Sequence, residues 1–239
     1  MNLVIDVGNT AVKVGVFKDN TLLFSETYLP SNIVGLLNNL ENFPIDTALL
    51  SAVSMVDPQL LNFLNGLNRF FQLDTNSPLP IKNNYQTPST LGADRLSNAV
   101  GASFLYPSKS VLVIDAGTCL KFDFVHPTNG YLGGSISPGL HMRYKSLNHY
   151  TAALPLLEPI EFVDLIGNDT KSSIHSGIIN GMISEIDGII GQYLLIFPDL
   201  VVLITGGDHH FFLNRLKTHI FVAPNLTLIG LEVILRNSK

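Results

Sequence analysis

Two stretches of the chain end an apolar run on an aspartate and follow it at once with a glycine turn: LVIDVGNTAVKVGVF at 3–17 and LVIDAGTCLKFDFV at 112–125. Gly8 and Gly117 carry no Cβ, so the main chain there can approach a phosphate closely, and consecutive turn amides form a concavity that binds anions. Thr10 and Thr118 add hydroxyl donors. Asp6 and Asp115 would repel a bare phosphate, so they make sense with a cation between, and Mg2+ with nucleotide phosphates is the usual arrangement. One Asp-Gly hairpin is ordinarily turn chemistry and nothing more. Two copies point instead to ATP, held in a cleft where the two turns face one another. Neither G-x-x-x-x-G-K-[ST] nor G-x-G-x-x-G occurs in the sequence.

The elements that must position these turns follow from periodicity. Residues 3–5 are apolar without alternation, the pattern of a strand buried on both faces. After the turn, Val12, Val14 and Val16 alternate with Lys13, Gly15 and Phe17, which predicts an antiparallel second strand with Lys13 on the face opposite the valines. A third strand is expected over 21–28, a helix over 32–42, a buried strand over 47–53, a helix opened by Asp57 and Pro58 and running to about 68, and a short strand near 70–73. The Pro/Asn/Ser/Thr-rich connection over 74–92 is long for a compact domain, which favours a functional loop. It ends in GADRL, and a helix is expected over 94–105. Strand, turn and strand restart at 111–125, a third strand near 131–136 leads into SISPG, a helix covers 171–196, and VVLIT at 201–205 runs into GGD. The LVID echo thus reads as an internal duplication, with a period far too long for a solenoid unit.

Composition limits the partners. A net charge of -5 without a Lys/Arg cluster excludes a nucleic-acid footprint. The single cysteine, Cys119, cannot form an internal disulfide, which fits a reducing cytoplasm. The most apolar stretch, 193–205, is cut by Pro198 and Asp199 into pieces shorter than the ~20 residues a bilayer needs, and the N-terminus has no basic signal region, so a soluble cytoplasmic protein is expected.

Taken in order, DVGNTAVK, LGADR, DAGT, GGSISPG and TGGD resemble the actin/sugar-kinase/Hsp70 superfamily, and specifically type III pantothenate kinase. The resemblance implies an α/β fold of two tandem RNase H-like lobes, each a mixed five-stranded sheet flanked by helices: 1–107 with a substrate loop at 74–95, and 108–239. It implies phosphorylation of pantothenate by ATP, the first step of coenzyme A synthesis, by a homodimer. Asp6, Val7, Gly8, Asn9, Thr10, Ala11, Val12 and Lys13 would hold the ATP phosphates, Asp6 organising Mg2+ through water and Lys13 neutralising phosphate charge. Asp94 would be the general base. Gly92, Ala93, Asp94 and Arg95 would lie on pantothenate, with Tyr85 and Thr170. Asp115 would bind an activating monovalent cation, K+ or ammonium, Thr118 would contact ATP, and Gly206 and Gly207 would line the adenosine.

One departure from the family pattern stands out: Cys119, Leu120 and Lys121 precede Phe122 and Asp123, and Lys121 either faces solvent or supplies a cation's charge. Read without the resemblance, Asp94 is a helix N-terminal carboxylate, Tyr85 a loop anchor, Thr170 an N-cap, Cys119 inert core, and His209 and His210 surface or pocket residues on an extended segment. Gly177 and Gly181, four apart on the long helix, suggest close helix packing. Two other functions stay open: a phosphohydrolase with water as nucleophile, and a nucleotide-binding regulator without turnover.

Overall fold

A computed structural model describes Met1–Asp74 and Asn76–Ser238. Thr75, inside the expected substrate loop, and Lys239, the end of the expected second lobe, lie outside the described residues. The elements in chain order are β1 (Asn2–Val7), β2 (Val12–Lys18), β3 (Thr21–Tyr28), α1 (Ile33–Leu40), β4 (Thr47–Ala52), α2 (Pro58–Asn65), β5 (Arg69–Gln72), α3 (Ala93–Leu105), β6 (Val111–Ala116), β7 (Cys119–His126), β8 (Gly130–Pro138), α4 (Leu140–His149), α5 (Thr170–Ile196), β9 (Val201–Thr205), β10 (Phe221–Val222) and α6 (Leu226–Asn237).

These elements form two five-stranded sheets, ordered β3-β2-β1-β4-β5 and β10-β9-β6-β7-β8. Read from β8, the second order repeats the first, so the duplicated LVID strands β1 and β6 each occupy the centre of a sheet. In the first sheet β2 and β3 run antiparallel and β4 and β5 parallel, as a mixed sheet requires.

The chain divides into two compact units. The first comprises Met1–Ser108, the tip of the β7–β8 hairpin at Val125–Leu132, and the C-terminal stretch from Asn225; the second comprises Lys109–Phe124 and Gly133–Pro224.

In the first unit, β1 is buried on both faces, as its unbroken apolar run predicts. Leu3, Ile5, Val12, Val14 and Val16 pack with Leu36 of α1 and Leu60 and Leu64 of α2. Val4 and Phe17 point the other way, onto Val100 of α3 and Leu228, Leu231 and Leu235 of α6. Asp57 caps α2 by accepting from the Gln59 amide, with Pro58 in the first turn, as the sequence predicts. The β2–β3 turn uses Asp19 and Asn20 at φ 49° and 69°, the residue types that tolerate the mirror-image hairpin turn.

Sequence periodicity assigned nothing after residue 205, yet α6 is the densest partner of α3. Their backbones touch: a Cβ on Gly230 would stand 1.8 Å from the Ser97 carbonyl oxygen. That contact, together with the apolar face of α6, carries the C-terminal helix into the first unit, whereas the expected second lobe ran on to 239.

In the second unit Leu112, Ile114, Phe122 and Phe124 of the sheet pack against Ile178, Met182, Ile186 and Ile190 of α5. Around Gly177 and Gly181, which the sequence suggests allow close helix packing, the chain leaves open space: among the described residues a Cβ at either would have no atom within 4 Å. Cys119 is partly exposed rather than core, because it sits at the first position of β7, at the hairpin mouth.

Candidate active site

The first hairpin turn is fixed from two sides. The Gly8 amide donates to the Ala11 carbonyl at 2.9 Å, and Ser54 Oγ donates to the Gly8 carbonyl at 2.9 Å. Asp6, at the end of β1, is 7% exposed and accepts at Oδ1 from Ser51 Oγ of β4 at 2.9 Å. Ser51 is its register partner on that side, and Lys13 of β2 stands directly opposite on the other. Cross-strand partners share a sheet face, so the Ser51 and Lys13 side chains leave the sheet on the same face as the Asp6 carboxylate. Asn9 and Thr10 are exposed at the tip. Val7 and Val12 are core residues, so of these two only the main chain can meet a ligand.

The second hairpin repeats this plan one residue shorter. Here the Gly117 amide donates to the Cys119 carbonyl at 3.1 Å. Asp115 is 8% exposed, and its register partner on β9 is Thr205, the counterpart of Ser51. The Thr205 hydroxyl is buried and makes no hydrogen bond among the described residues. Lys121 Nζ instead lies 2.7 Å from Asp115 Oδ2. Thr118 is exposed at the tip.

Gly206, where β9 ends, has φ +91°, and a Cβ there would stand 2.2 Å from the Ala116 oxygen and 2.6 Å from Asp115 Oδ1. Gly207, by contrast, is exposed with open space around it. The Asp208 amide then donates to the Ala116 carbonyl at 2.9 Å, which brings a second acid beside Asp115. Burial pushes the Asp208 carboxyl above its ordinary range; His141, with Nε2 3.6 Å from Asp208 Oδ1, and His210 oppose the rise, and the charge of Asp115 adds to it. His209 and His210 sit on a short 3-10 turn rather than an extended segment, each ring Nδ1 against a glycine carbonyl, Gly206 and Gly207 respectively.

The substrate loop and GADR belong to the first unit. The Tyr131 amide donates to the Lys82 carbonyl at 2.9 Å, and the Asn84 amide to the Tyr131 carbonyl at 3.0 Å, so the loop is pinned to the β7–β8 hairpin tip. Tyr85 stacks on the fully buried Tyr131 at 6.0 Å, and the Arg95 guanidinium lies over the Tyr85 ring at 5.6 Å. Arg95 is 5% exposed, so the stack fixes a cation that solvent scarcely reaches. Gly92 is the N-cap of α3 and Ala93 opens the helix. Asp94 follows in the first turn, its Oδ1 accepting from the Arg95 amide at 2.9 Å.

Thr170 belongs to the second unit. It is the first residue of α5, and the cap is Asp169, in a reciprocal box with Ser172; Asp169 wins because its carboxylate reaches the Ser172 amide at 2.8 Å. Thr170 lines a cavity of about 910 Å³ with Arg143, Asn168, Asp169, Ile174 and Gly177. Sequence reasoning missed Ser51, Tyr131, His141 and Asp208. Only Asp208 had a signal, the acid of TGGD, of which only the glycines were read as ligands.

Two ions are implied by the resemblance, and the residues treat them differently. Among the described residues no three His, Cys, Asp or Glu side chains gather to hold a metal. A divalent ion at the buried, oriented Asp6 would therefore take most of its ligands from phosphate and water, as Mg2+ does, and Asp6 fits that role. Asp115 does not fit a free monovalent ion at Oδ2, because an ammonium group is already there.

The two sheets of one strand order, each with an aspartate at the end of its central strand, give the fold seen in solved sugar kinases. A glucokinase from an Antarctic psychrotroph matches with a TM-score of 0.50 at 13% identity, covering 99% of both chains. A ROK family glucokinase from Streptomyces griseus, solved with glucose and AMPPNP, matches at 0.51 and 11%, again covering 99% of both. At those identities the likeness is one of fold. Sequence is more specific: the family model for type III pantothenate kinase matches residues 2–192. The type III pantothenate kinase of Christiangramia forsetii is 46% identical, covering 100% of this chain and 99% of its own, and that of Flavobacterium johnsoniae 41%, covering 97% and 96%. The chain belongs to the type III pantothenate kinase family. Among the described residues no helix is long and apolar enough to cross a membrane.

Proposed function

We propose that this protein transfers the γ-phosphoryl group of ATP to the primary hydroxyl of pantothenate, giving 4'-phosphopantothenate and ADP at the start of coenzyme A synthesis. The observation that carries the reading is near-complete coverage by relatives that all bear the pantothenate kinase name, in a chain that keeps Asp6, Lys13 and Asp94 where the resemblance requires them.

Asp94 is the general base. Its carboxylate takes the hydroxyl proton as that oxygen bonds to the γ-phosphorus and the bond from phosphorus to the β-γ bridging oxygen breaks. Arg95, held over Tyr85, orients pantothenate or the transferred phosphoryl group through its planar donors. The amides of Asn9, Thr10 and Ala11 and the main chain of Val7 and Val12 cradle phosphate oxygens, Gly8 lets the chain come close because it has no Cβ, Lys13 offsets the phosphate charge, and Thr118, Gly206 and Gly207 are the further residues the resemblance gives to the nucleotide. When bound, Mg2+ supplies charge neutralisation at the phosphates, with Asp6 holding its water ligands. Because phosphoryl transfer is mostly positioning and charge management, this fixed geometry is what the protein contributes.

Thr170 contacts pantothenate in a cytoplasmic homodimer. Support for the dimer comes from the open glycine face of α5 and from Phe162 and Ile166, 87% and 83% exposed in the segment before it. Coupled ADP release with and without pantothenate tests the proposal. Release that depends on pantothenate is expected, and phosphate release that ignores pantothenate would favour the hydrolase instead.

A further inference from the structure

We propose that Lys121 is a tethered cation for the nucleotide site. Its ammonium does at Asp115 what a free potassium or ammonium ion would do, so the reaction needs no monovalent cation. This rests on the kinase reading above.

The geometry makes the lysine a resident of the site rather than a solvated surface charge. Nζ lies 2.7 Å from Asp115 Oδ2, and the two side chains are only 13% and 11% exposed. A pair so withdrawn from water is screened little by salt. The carboxylate is also held in one orientation: Oδ1 faces Gly206 and Gly117, where a Cβ would come within 2.6 and 3.5 Å of it, while Oδ2 turns to the lysine.

The position is a product of the duplication. In the first hairpin the Gly8 amide bonds the Ala11 carbonyl, and Lys13 stands two residues beyond it; in the second the Gly117 amide bonds the Cys119 carbonyl, and Lys121 stands two residues beyond that. Each turn therefore carries its own aspartate and its own lysine, the lysine at the same offset from the carbonyl that closes the turn. The partner hydroxyls diverge accordingly: Ser51 donates to Asp6, whereas the Thr205 hydroxyl makes no hydrogen bond among the described residues and Asp115 takes the ammonium.

Charge accounts for the need. Asp115 and Asp208 stand close enough for the one to raise the other's proton affinity, and two carboxylates in one unit oppose a polyanionic nucleotide. A lysine ammonium is a compact single positive charge, of the same kind as the free ammonium ion. Supplied by the chain, it carries no cost of capturing a mobile ion.

The test compares wild type with Lys121→Met, which keeps the aliphatic stem, and Lys121→Ala. Pantothenate-dependent ADP release is measured in the chlorides of potassium, ammonium, sodium and choline at one ionic strength, beside the rise in Tm caused by MgATP in potassium and in choline chloride. Wild-type rates should agree within about twofold in all four salts, with equal Tm rises. The variants should lose about tenfold or more in choline and regain at least about fivefold in potassium or ammonium, with a potassium-specific Tm rise appearing. A wild type about fivefold or more faster in potassium than in choline, or variants indifferent to the salt, would overturn the proposal. Absence of pantothenate-dependent ADP in every salt would instead sink the kinase reading, and the MgATP-induced Tm rises would still decide the role of Lys121.

Discussion

Gly206 and Gly207 share a motif but not an environment, and that difference gives a quantitative prediction. Gly206→Ala places a methyl group 2.2 Å from the Ala116 oxygen and 2.6 Å from Asp115 Oδ1, at φ +91°. The left-handed backbone costs about 1–2 kcal/mol for a residue with a Cβ, and forcing an extra carbon into a packed site about 1–3 kcal/mol. Together these come to about 2–5 kcal/mol, a fall in Tm of roughly 4–20 °C at about 2–4 °C per kcal/mol for a chain of this size class. The displaced carboxylate is the partner of Lys121, so MgATP affinity should fall as well. Gly207→Ala meets nothing within 4 Å, so its stability should change by no more than about 0.5 kcal/mol. If Gly207 lies against adenosine, that variant should weaken MgATP binding with Tm unmoved. Differential scanning fluorimetry and titration calorimetry with MgATP separate the two effects. A Gly206→Ala protein melting within about 2 °C of wild type would refute the steric argument.

Two further outcomes follow from packing and burial. Asp208 ordinarily titrates at 3.8 and is raised in the fold, chiefly by burial. Between those two values the folded chain holds the extra proton, so its stability falls as pH rises through the window and stays lowered above it. Asp208→Asn should therefore melt higher than wild type at pH 7, with a smaller gain at pH 4; equal gains at both would show that burial of the charge is not the cause. Gly230→Ala drives a methyl into the Ser97 carbonyl between α3 and α6 and should cost at least about 1–3 kcal/mol, read as a lowered urea midpoint; an unchanged midpoint would mean the helices separate freely.

Much of this was legible in the sequence because repetition made it so. The unbroken run LVID announced a central strand twice, and both central strands are there, in sheets of one order. The Asp57-Pro58 cap and the start of α3 were legible because their chemistry is local. What failed depended on distant partners. Helix α6 has a periodic apolar face, but its place beside α3 is set by Gly230 against Ser97, more than a hundred positions away. Asp169 capped α5 in place of Thr170 because a carboxylate outcompetes a hydroxyl one residue on, a contest spacing does not reveal. Ser51 and Tyr131 carry no signal of their own: the first matters through its register with Asp6, the second through the loop that lies on it. Lys121 stood out as a departure, but only coordinates show it against Asp115.

The central claim is that the γ-phosphoryl group of ATP passes directly to an alcohol rather than to water, with Asp94 as the base that takes the alcohol's proton. The most direct measurement is the fate of the γ-phosphoryl group, followed by mass spectrometry of phosphorylated pantothenate beside free phosphate, in wild type and Asp94→Asn. Wild type should yield phosphorylated pantothenate in step with ADP, and Asp94→Asn should lose about 10²–10⁴ in turnover while binding MgATP as before. Phosphate released to water without pantothenate, or an Asp94→Asn protein as fast as wild type, would contradict the account.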